Sequence, residues 1–281
     1  MLGVVSLFVP AFSPAMINAS LAFDCDSLIF DLEDSVALSE KDSARELLRE
    51  ALLNLDFFGK SVIVRINSLD SDLWYKDLEY VVDTPAWGAM VPKASPQGIK
   101  AVSDVLDRFE SKLFIVPIIE TALGVELVID IIRASSRVKG LLFGAEDYAL
   151  DMGIRRTREG EEILFARSRI ANAIHAFGME GLDTPFTDIN DMEGLRLDTL
   201  KGKSLGYTGK AAINPRQIEV IKKVYLPSEE EVEFALRVLR ALKRGEGRGV
   251  FIVDGRMVDA PIIARAKLTL RRAGLEVDQV D

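Results

Sequence analysis

The sequence predicts an α/β protein that folds as a (β/α)8 TIM barrel followed by a C-terminal helical extension. Two observations carry this prediction: eight short apolar runs recur along residues 1–226, and amphipathic segments lie between them. The runs are rich in Val, Ile, Leu and Phe without polar alternation, which is typical of strands buried on both faces of a parallel sheet. A βα unit repeated about eight times favours a closed barrel over an open sheet.

The predicted strands follow one another in chain order. They lie at residues 5–9, 27–30, 61–66, 88–91, 113–119, 138–143, 179–182 and 204–213. After the second strand, segment 41–55 places Ala44, Leu48 and Leu52 four residues apart, which is the spacing of one helix face. Segment 161–177 shows a similar helical pattern, so helices are expected between the strands.

The pattern changes after Tyr225. Ser228 and Glu231 form a capping-box signature, and the helix that it opens is expected to run to about residue 244. A glycine-rich break at 245–249, a strand at 250–254 and a helix at 262–273 follow. We therefore expect two domains: a barrel at 1–226 that carries any metal site, and an extension at 227–281 that packs on the barrel or on a neighbouring subunit.

Composition limits the classes of function. Of 281 residues, 35 are Lys or Arg and 44 are Asp or Glu, so the net charge is -9 and the pI is about 4.9. Such a surface does not neutralise phosphates, which argues against a nucleic-acid partner. The one cysteine, Cys25, excludes an intrachain disulfide and fits a reducing compartment. No apolar run approaches the ~18 residues of a membrane span, so we expect a soluble, cytoplasmic protein without membrane contact.

Polar side chains follow the predicted strands at the points where the strands end. They are Asp31, Glu33 and Asp34, then Arg65 and Asn67, then Lys93 after Pro92, then Glu120, then Glu146 and Asp147, and finally Asp183 and Asn214. Any one acid is most simply a helix cap or a solvated loop residue. Because the carboxyl ends of barrel strands meet at one face, several together indicate a functional site there.

A rim with several carboxylates calls for a cation, because like charges in one pocket repel one another. The chain has one histidine and no cysteine cluster, so Mg2+ or Mn2+ is favoured over Zn2+. Glu120 and Asp147 follow neighbouring strands, a geometry that allows both side chains to reach one ion. Arg65 is expected to face the same cavity, where an ion pair with Glu33 or Asp34 is compatible with a functional role.

These residues belong to an ordered series of motifs. The series comprises Leu7-Phe8-Val9-Pro10, Phe30-Asp31-Leu32-Glu33-Asp34-Ser35-Val36, Val64-Arg65-Ile66-Asn67, Val91-Pro92-Lys93, Ile119-Glu120-Thr121, Phe143-Gly144-Ala145-Glu146-Asp147, Leu182-Asp183-Thr184-Pro185, Gly206-Tyr207-Thr208-Gly209-Lys210 and Gly255-Arg256-Met257-Val258-Asp259. Over nearly the whole chain, it resembles the citrate lyase β-subunit family, which includes malyl-CoA lyases, within the HpcH/HpaI aldolase superfamily. Each motif is weak alone, but the ordered set is specific.

The resemblance implies a Mg2+-dependent enzyme that cleaves or forms a carbon–carbon bond in a 3-hydroxyacyl thioester. Citryl-, malyl- and citramalyl-thioesters, carried on CoA or on an acyl-carrier protein, are the expected substrates, and an oxo acid is released. Glu120 and Asp147 would bind the metal, with Glu33 and Asp34 near the metal's water molecules.

The same resemblance assigns roles to the remaining site residues. Arg65 would stabilise the thioester enolate, as a fixed cation can, and Pro92 and Lys93 would contact the substrate. Asp259 would enter the site from a neighbouring subunit as acid or base, which implies a homo-oligomer such as a trimer or hexamer. Its plain alternative is a turn aspartate before Pro261.

Two departures from the family pattern concern the substrate. Many members have an Arg-Ser pair where this chain reads Val5-Ser6, and many have a histidine where this chain has Asn214. Both changes affect substrate choice more than the predicted metal site.

Two other functions compete with the lyase. A class II aldolase acting on free pyruvate would need an active-site histidine, and the only histidine, His175, lies inside a predicted helix. A non-catalytic homologous subunit would fit the missing N-terminal arginine, although the chain retains Arg65, Glu120, Asp147 and Asp259.

Overall fold

The computed structural model describes residues 2–246 and 249–275, and the chain divides into two compact units, Met1–Lys222 and Lys223–Asp281. The strands of the first unit are β1 (Val5–Pro10), β2 (Ser27–Asp31), β3 (Ser61–Arg65), β4 (Gly88–Val91), β5 (Phe114–Ile119), β6 (Gly140–Phe143), β7 (Glu180–Asp183) and β8 (Gly209–Ala212). All eight run parallel and close into a barrel, with β8 pairing with β1. The predicted (β/α)8 barrel is confirmed.

Helices surround the barrel. In chain order they are α1 (Pro14–Ser20), α2 (Lys41–Asn54), α3 (Leu73–Val81), α4 (Pro96–Arg108), α5 (Ala122–Glu126), α6 (Val128–Arg133), α7 (Ala145–Asp151), α8 (Leu164–Ala176), α9 (Met192–Leu205) and α10 (Gln217–Tyr225). In α2, the predicted apolar face of Ala44, Leu48 and Leu52 is buried. Within residues 2–246 and 249–275, no helix combines the length and the hydrophobicity needed to cross a bilayer.

The barrel interior is filled by one cluster of apolar side chains from successive strands. The cluster comprises Leu2, Ile29, Ile63, Met90, Val116, Ile118, Leu142, Leu182 and Ala211. Successive side chains of a strand point to opposite faces, so a residue two positions further along also points inward. This rule places Asp31, Arg65 and Glu120 in the mouth of the barrel, above the apolar layer.

Asp183, which the sequence placed on the same rim, points the other way. It follows the inward-facing Leu182 by one residue, and its side chain is fully buried between the sheet and the helices. Its carboxylate contacts Arg167 of α8 and Lys210 of β8, and both of these cations also contact Asp198 of α9. Two cations and two anions therefore balance inside the helix layer, and the expectation that Asp183 lies on the rim is wrong.

The strand predicted at 204–213 is shorter in the structure. Helix α9 continues to Leu205, Gly206 ends it with a φ of 109°, and β8 begins at Gly209. A left-handed backbone conformation at this position favours glycine, which has no Cβ. The first residues of the apolar run therefore form the end of α9. A short apolar run does not by itself show whether its residues form a helix end or a strand.

The second unit is a small α/β structure. It contains α11 (Glu229–Ala241), a π-helical turn at Leu242–Glu246, an antiparallel hairpin of β9 (Phe251–Val253) and β10 (Arg256–Val258), and α12 (Ala260–Arg272). Ser228 and Glu231 make both hydrogen bonds of the predicted capping box. The predicted break at 245–249 includes residues 247 and 248, which lie outside the described residues.

Candidate active site

Arg65, the last residue of β3, lies at the barrel mouth and is held by carboxylates on β2 and the loop after it. Its Nε and Nη2 donate to the two carboxylate oxygens of Asp31, each at 2.7 Å. Its Nη1 lies 3.0 Å from both Glu33 Oε2 and Asp34 Oδ2. The predicted ion pair with Glu33 and Asp34 is therefore present, and Asp31 adds a bidentate contact that fixes the guanidinium plane.

The electrostatics of this cluster keep Arg65 and Asp31 charged. Burial alone would raise the pKa of Asp31, yet the hydrogen bonds and charge of Arg65 lower it below its usual range. Burial would lower the pKa of Arg65, but the hydrogen bonds and charge of Asp31 raise it. In contrast, burial raises the pKa of Glu33 to about 8, and the neighbouring carboxylates add to this effect.

The loop that carries Glu33 and Asp34 is held by hydrogen bonds to its backbone. Lys41 at the start of α2 is buried, and its Nζ donates to the carbonyl oxygens of Leu32 and Glu33, each at 2.5 Å. The backbone N–H groups of Glu33 and Ser35 donate to the Asp31 carboxylate at 2.8 and 3.0 Å. The carboxylates that contact Arg65 are thus preorganised by the local fold.

Glu120 follows β5 and points into the mouth, where it is 4% exposed. Its Oε1 accepts a 2.6 Å hydrogen bond from the backbone N–H of Lys93. Burial raises the pKa of Glu120 to about 7, the Lys93 hydrogen bond opposes this, and the charge of Asp147 adds to it. A buried carboxylate with a raised pKa, close to Arg65 and Asp147, is typical of a functional site.

Gly144 makes room for the Glu120 side chain. A Cβ at position 144 would lie 2.6 Å from Glu120 Oε2 and 2.7 Å from Glu120 Cβ. Asp147 lies three residues further on, half-buried in the first turn of α7. Since β5 and β6 are neighbours in the barrel, the structure brings the two predicted metal ligands to adjacent strand ends.

Pro92 and Lys93 close the same side of the mouth. Pro92 is buried, whereas the Lys93 side chain is exposed. Lys93 has a φ of 44°, a left-handed conformation that is uncommon outside glycine. This backbone turn directs the Lys93 N–H at Glu120. The backbone of Lys93 therefore has an identified role, in addition to the contact with substrate predicted for its side chain.

A cavity of about 390 Å³ opens beside Arg65 at the ends of β1, β2, β3 and β8. Its lining combines Asp31, Asp34, Ser35 and Arg65 with an apolar wall of Phe8, Val9, Pro10, Pro185 and Ile213. The Phe8 ring lies under the Arg65 guanidinium, 5.3 Å from its Cζ. Glu120 and Asp147 do not line this cavity. The site therefore has a carboxylate side, with Glu120 and Asp147, and an apolar side, formed by the cavity wall, and Arg65 lies between them.

Asp259 belongs to the second unit. It is the N-cap of α12, and its Oδ1 accepts a 3.2 Å hydrogen bond from Ile262 N. This is the role of a turn aspartate before Pro261. His175 lies at the end of α8, where its Nε2 is 2.7 Å from Gly206 O. The lone histidine is therefore remote from the strand ends that form the site.

Sequence reasoning placed Asp31 on the rim without assigning it a role, and it did not single out three other residues that organise this site: Lys41, Gly144 and Thr184. Asp31 and Gly144 are inward-facing positions, two residues beyond members of the apolar layer. Counting inward positions from the apolar layer would have identified both. Lys41 and Thr184 act through contacts with the backbone, which a sequence does not reveal.

The fold and the site together define a class of protein: a parallel α/β barrel enzyme with its chemistry at the carboxyl ends of the strands. The family model described as HpcH/HpaI aldolase/citrate lyase matches residues 5–215. The chain belongs to this family, so the resemblance that the motifs indicated is confirmed.

Individual relatives match over almost the whole chain. Citrate lyase subunit beta of Leuconostoc mesenteroides subsp. cremoris is 39% identical, over 95% of this chain and 92% of the relative. L-malyl-CoA/beta-methylmalyl-CoA lyase of Rhodobacter capsulatus is 32% identical, over 95% and 93%. A crystal structure of CitE from Mycobacterium tuberculosis, in complex with magnesium, acetoacetate and coenzyme A, superposes with a TM-score of 0.84 at 34% identity, covering 97% of this chain and 98% of that one. The protein is thus a member of a family of lyases.

Proposed function

We propose that this protein is a Mg2+-dependent carbon–carbon lyase that cleaves a 3-hydroxyacyl thioester into an acyl thioester and an oxo acid. One observation carries the proposal: a fixed guanidinium, Arg65, stands at the barrel mouth beside two carboxylates from neighbouring strand ends, Glu120 and Asp147. The magnesium and coenzyme A bound by the Mycobacterium tuberculosis relative support it.

The donor set at the mouth fits Mg2+. Glu120 and Asp147 supply oxygen ligands, and Mg2+ usually takes one or two protein carboxylates and keeps water in its other positions. Mn2+ shares these preferences. When bound, the ion would act as a Lewis acid toward oxygens of the substrate.

Glu33 and Asp34 would lie near water molecules of the metal. Their carboxylates contact the same Arg65 Nη1 at 3.0 Å, and the charge of Glu120 acts on Glu33. They therefore link the carboxylate side of the site to the guanidinium.

Arg65 would stabilise the negative charge that develops during cleavage. In the proposed reaction Asp259, acting as a base, takes the hydroxyl proton, the bond between the α and β carbons breaks, and its electron pair passes to the thioester as an enolate. The oxo acid then departs, and the enolate carbon takes up a proton. Because Asp31 holds Arg65 with two hydrogen bonds, the cation needs no reorganisation when the enolate forms.

Asp259 is the proposed proton donor to the enolate, entering the barrel mouth from a neighbouring subunit. In this proposal the protein is a homo-oligomer, a trimer or hexamer, and the second unit completes a neighbour's site. Pro92 and Lys93 would contact the thioester, whose carrier is CoA or an acyl-carrier protein. The proposal includes a cytoplasmic location, which the single cysteine favours.

Calorimetric titration with Mg2+ tests the metal site. We expect the wild-type protein to bind Mg2+ and Glu120→Gln to lose that binding. Glu126→Gln is the matched control because Glu126 is exposed at the end of α5, and it should bind Mg2+ as the wild type does. A wild-type protein that binds no Mg2+ would contradict the proposal.

A further inference from the structure

The turn between β6 and α7 carries Asp147 and is fixed by contacts on both sides. The N–H groups in the first turn of a helix have no partner within the helix. Here the N–H of Ala145, the first residue of α7, donates to Thr184 Oγ1 at 3.1 Å. On the other side, Gly144 N donates to Ile119 O at 3.0 Å. The start of α7 is therefore joined to both neighbouring strands.

Thr184 is itself rigidly held. It follows β7, points into the mouth and is 1% exposed. Its carbonyl oxygen accepts a 2.5 Å hydrogen bond from Lys210 Nζ. Lys210 is fully buried and also contacts Asp183 at 3.0 Å and Asp198 at 2.6 Å. The backbone of Thr184 is thus anchored in the helix layer, while its hydroxyl reaches the start of α7.

We propose that Thr184 is a positioning residue that fixes the first turn of α7 and, through it, the carboxylate of Asp147. Lys210 acts one step further back by anchoring Thr184. This inference rests on the proposed function, in which Asp147 is a metal ligand. Partners that orient a metal ligand change metal affinity without touching the metal.

The two proposed metal ligands, Glu120 and Asp147, are held by different contacts, so a positioning role of Thr184 can be distinguished from a general loss of stability. Glu120 receives its hydrogen bond from Lys93 on the opposite side and has none from Thr184 among the described contacts. Removing the Thr184 hydroxyl therefore releases the Asp147 turn and leaves the Glu120 contact in place. Metal affinity is then expected to weaken rather than disappear.

The barrel contains a matched control. Thr208, just before β8, accepts a 2.9 Å hydrogen bond from Gly181 N through its own Oγ1. This bond joins β7 and β8 at the opposite end of the strands from Thr184. Thr208→Val and Thr184→Val each remove a hydrogen bond from a backbone N–H to a threonine hydroxyl, but the Thr208 bond joins β7 to β8, whereas the Thr184 bond joins the end of β7 to α7.

The experiment titrates the full-length protein with Mg2+ alone by calorimetry, with a thermal melt of each variant. We expect Thr184→Val to raise the Kd for Mg2+ about tenfold or more. Thr184→Ser, which keeps the hydroxyl, should restore wild-type affinity, and Thr208→Val should retain it. If Thr184→Val does not fold, Thr184→Ala takes its place.

The outcomes distinguish this inference from the proposed function. If the wild type binds Mg2+ and Thr184→Val binds it equally well, the positioning role is wrong and the proposed function stands. Equal weakening by Thr208→Val, or no rescue by Thr184→Ser, would also overturn the role. If the wild type binds no Mg2+, the proposed function itself fails, and the inference fails with it.

Discussion

The carboxylates that contact Arg65 do not restrain its guanidinium equally. Three carboxylates lie within 3.0 Å of its nitrogens, and they differ in exposure. The Asp31 side chain is 5% exposed and the Asp34 side chain is 73% exposed. A buried, bidentate pair restrains a guanidinium far more than a solvated contact does. Asp31 is therefore the residue that sets the position of Arg65.

Replacing Asp31 with Asn tests this statement. Asp31→Asn keeps the shape of the side chain but removes its charge, so Arg65 loses its fixed orientation. We expect kcat to fall about 100-fold, with Mg2+ affinity changed far less because Asp31 is not a proposed ligand. Asp34→Asn removes a charge from the same guanidinium at an exposed position and should change kcat less than about threefold. Similar losses in both variants, in steady-state kinetics, would contradict the role of Asp31.

Replacing Gly144 with Ala tests the packing around Glu120. A Cβ at this position would stand 2.6 Å from Glu120 Oε2, so the carboxylate has to move. We expect Gly144→Ala to bind Mg2+ at least about tenfold more weakly. Unchanged affinity in a folded variant would show that Glu120 does not hold the metal in the position seen here.

The sequence predicts the side chains proposed to take part in the chemistry better than it predicts the residues that hold them in place. Arg65, Glu120, Glu33 and Asp34 can be predicted because each follows an apolar strand within a recognisable motif. Lys41 could not be predicted as a support, since its partners are backbone carbonyl groups, which any sequence contains.

Among the contacts between helices and strands, a group of buried charged side chains lies where α8 and α9 cover β7 and β8. Arg167, Asp183 and Lys210 are fully buried there, and Asp198 is nearly so. Their charges cancel, but removing one cation leaves two buried carboxylates that share the remaining cation. This group of residues therefore stabilises the side of the barrel that supports α7.

Lys210→Met is expected to destabilise the protein by about 3–5 kcal/mol, because Asp183 and Asp198 lose a buried cation. The control is Lys201→Met, since Lys201 pairs with a solvent-exposed Glu161 at 2.6 Å and should lose at most about 1 kcal/mol. Urea denaturation of both variants measures the difference. Equal stabilities would mean that the buried charges contribute nothing beyond their volume.

The strands were the most predictable elements. The strand at 88–91 agrees with β4 at both ends, and the others except the last differ by at most two residues at either end. Buried parallel strands leave a strong signal because both of their faces are apolar. The direction of a single side chain is harder to predict. Asp183 follows the predicted strand 179–182 as Glu120 follows the predicted strand 113–119, yet in the structure Asp183 is the last residue of β7 and its side chain points out of the barrel.

Over the whole molecule, the buried carboxyl groups of the mouth make stability depend on pH. The pKa of Glu33 is about 8 and that of Glu120 is about 7, both raised mainly by burial from an ordinary value near 4.5. Between about pH 5 and 8 the folded chain keeps protons that the unfolded chain has released. The free energy of unfolding of the metal-free protein therefore falls as the pH rises through this range.

Denaturation in EDTA at several pH values measures this effect. We expect the denaturation midpoint to decrease steadily from pH 5 to pH 8 in the wild type. The slope should be largely lost in a Glu33→Gln, Glu120→Gln double variant, in which neither group titrates. A wild-type midpoint that is constant or rises with pH would contradict the electrostatics described for the mouth.

In the proposed function this barrel cleaves a carbon–carbon bond in a 3-hydroxyacyl thioester with Mg2+. The most direct measurement incubates the protein with citryl-, malyl- and citramalyl-thioesters of CoA and of an acyl-carrier protein, with Mg2+ or with EDTA, and follows the released acyl thioester and oxo acid. We predict cleavage of at least one substrate with Mg2+, none with EDTA, and a large loss in Arg65→Lys. Failure to cleave any of these thioesters in the presence of Mg2+ would show that the protein is not a lyase of this kind.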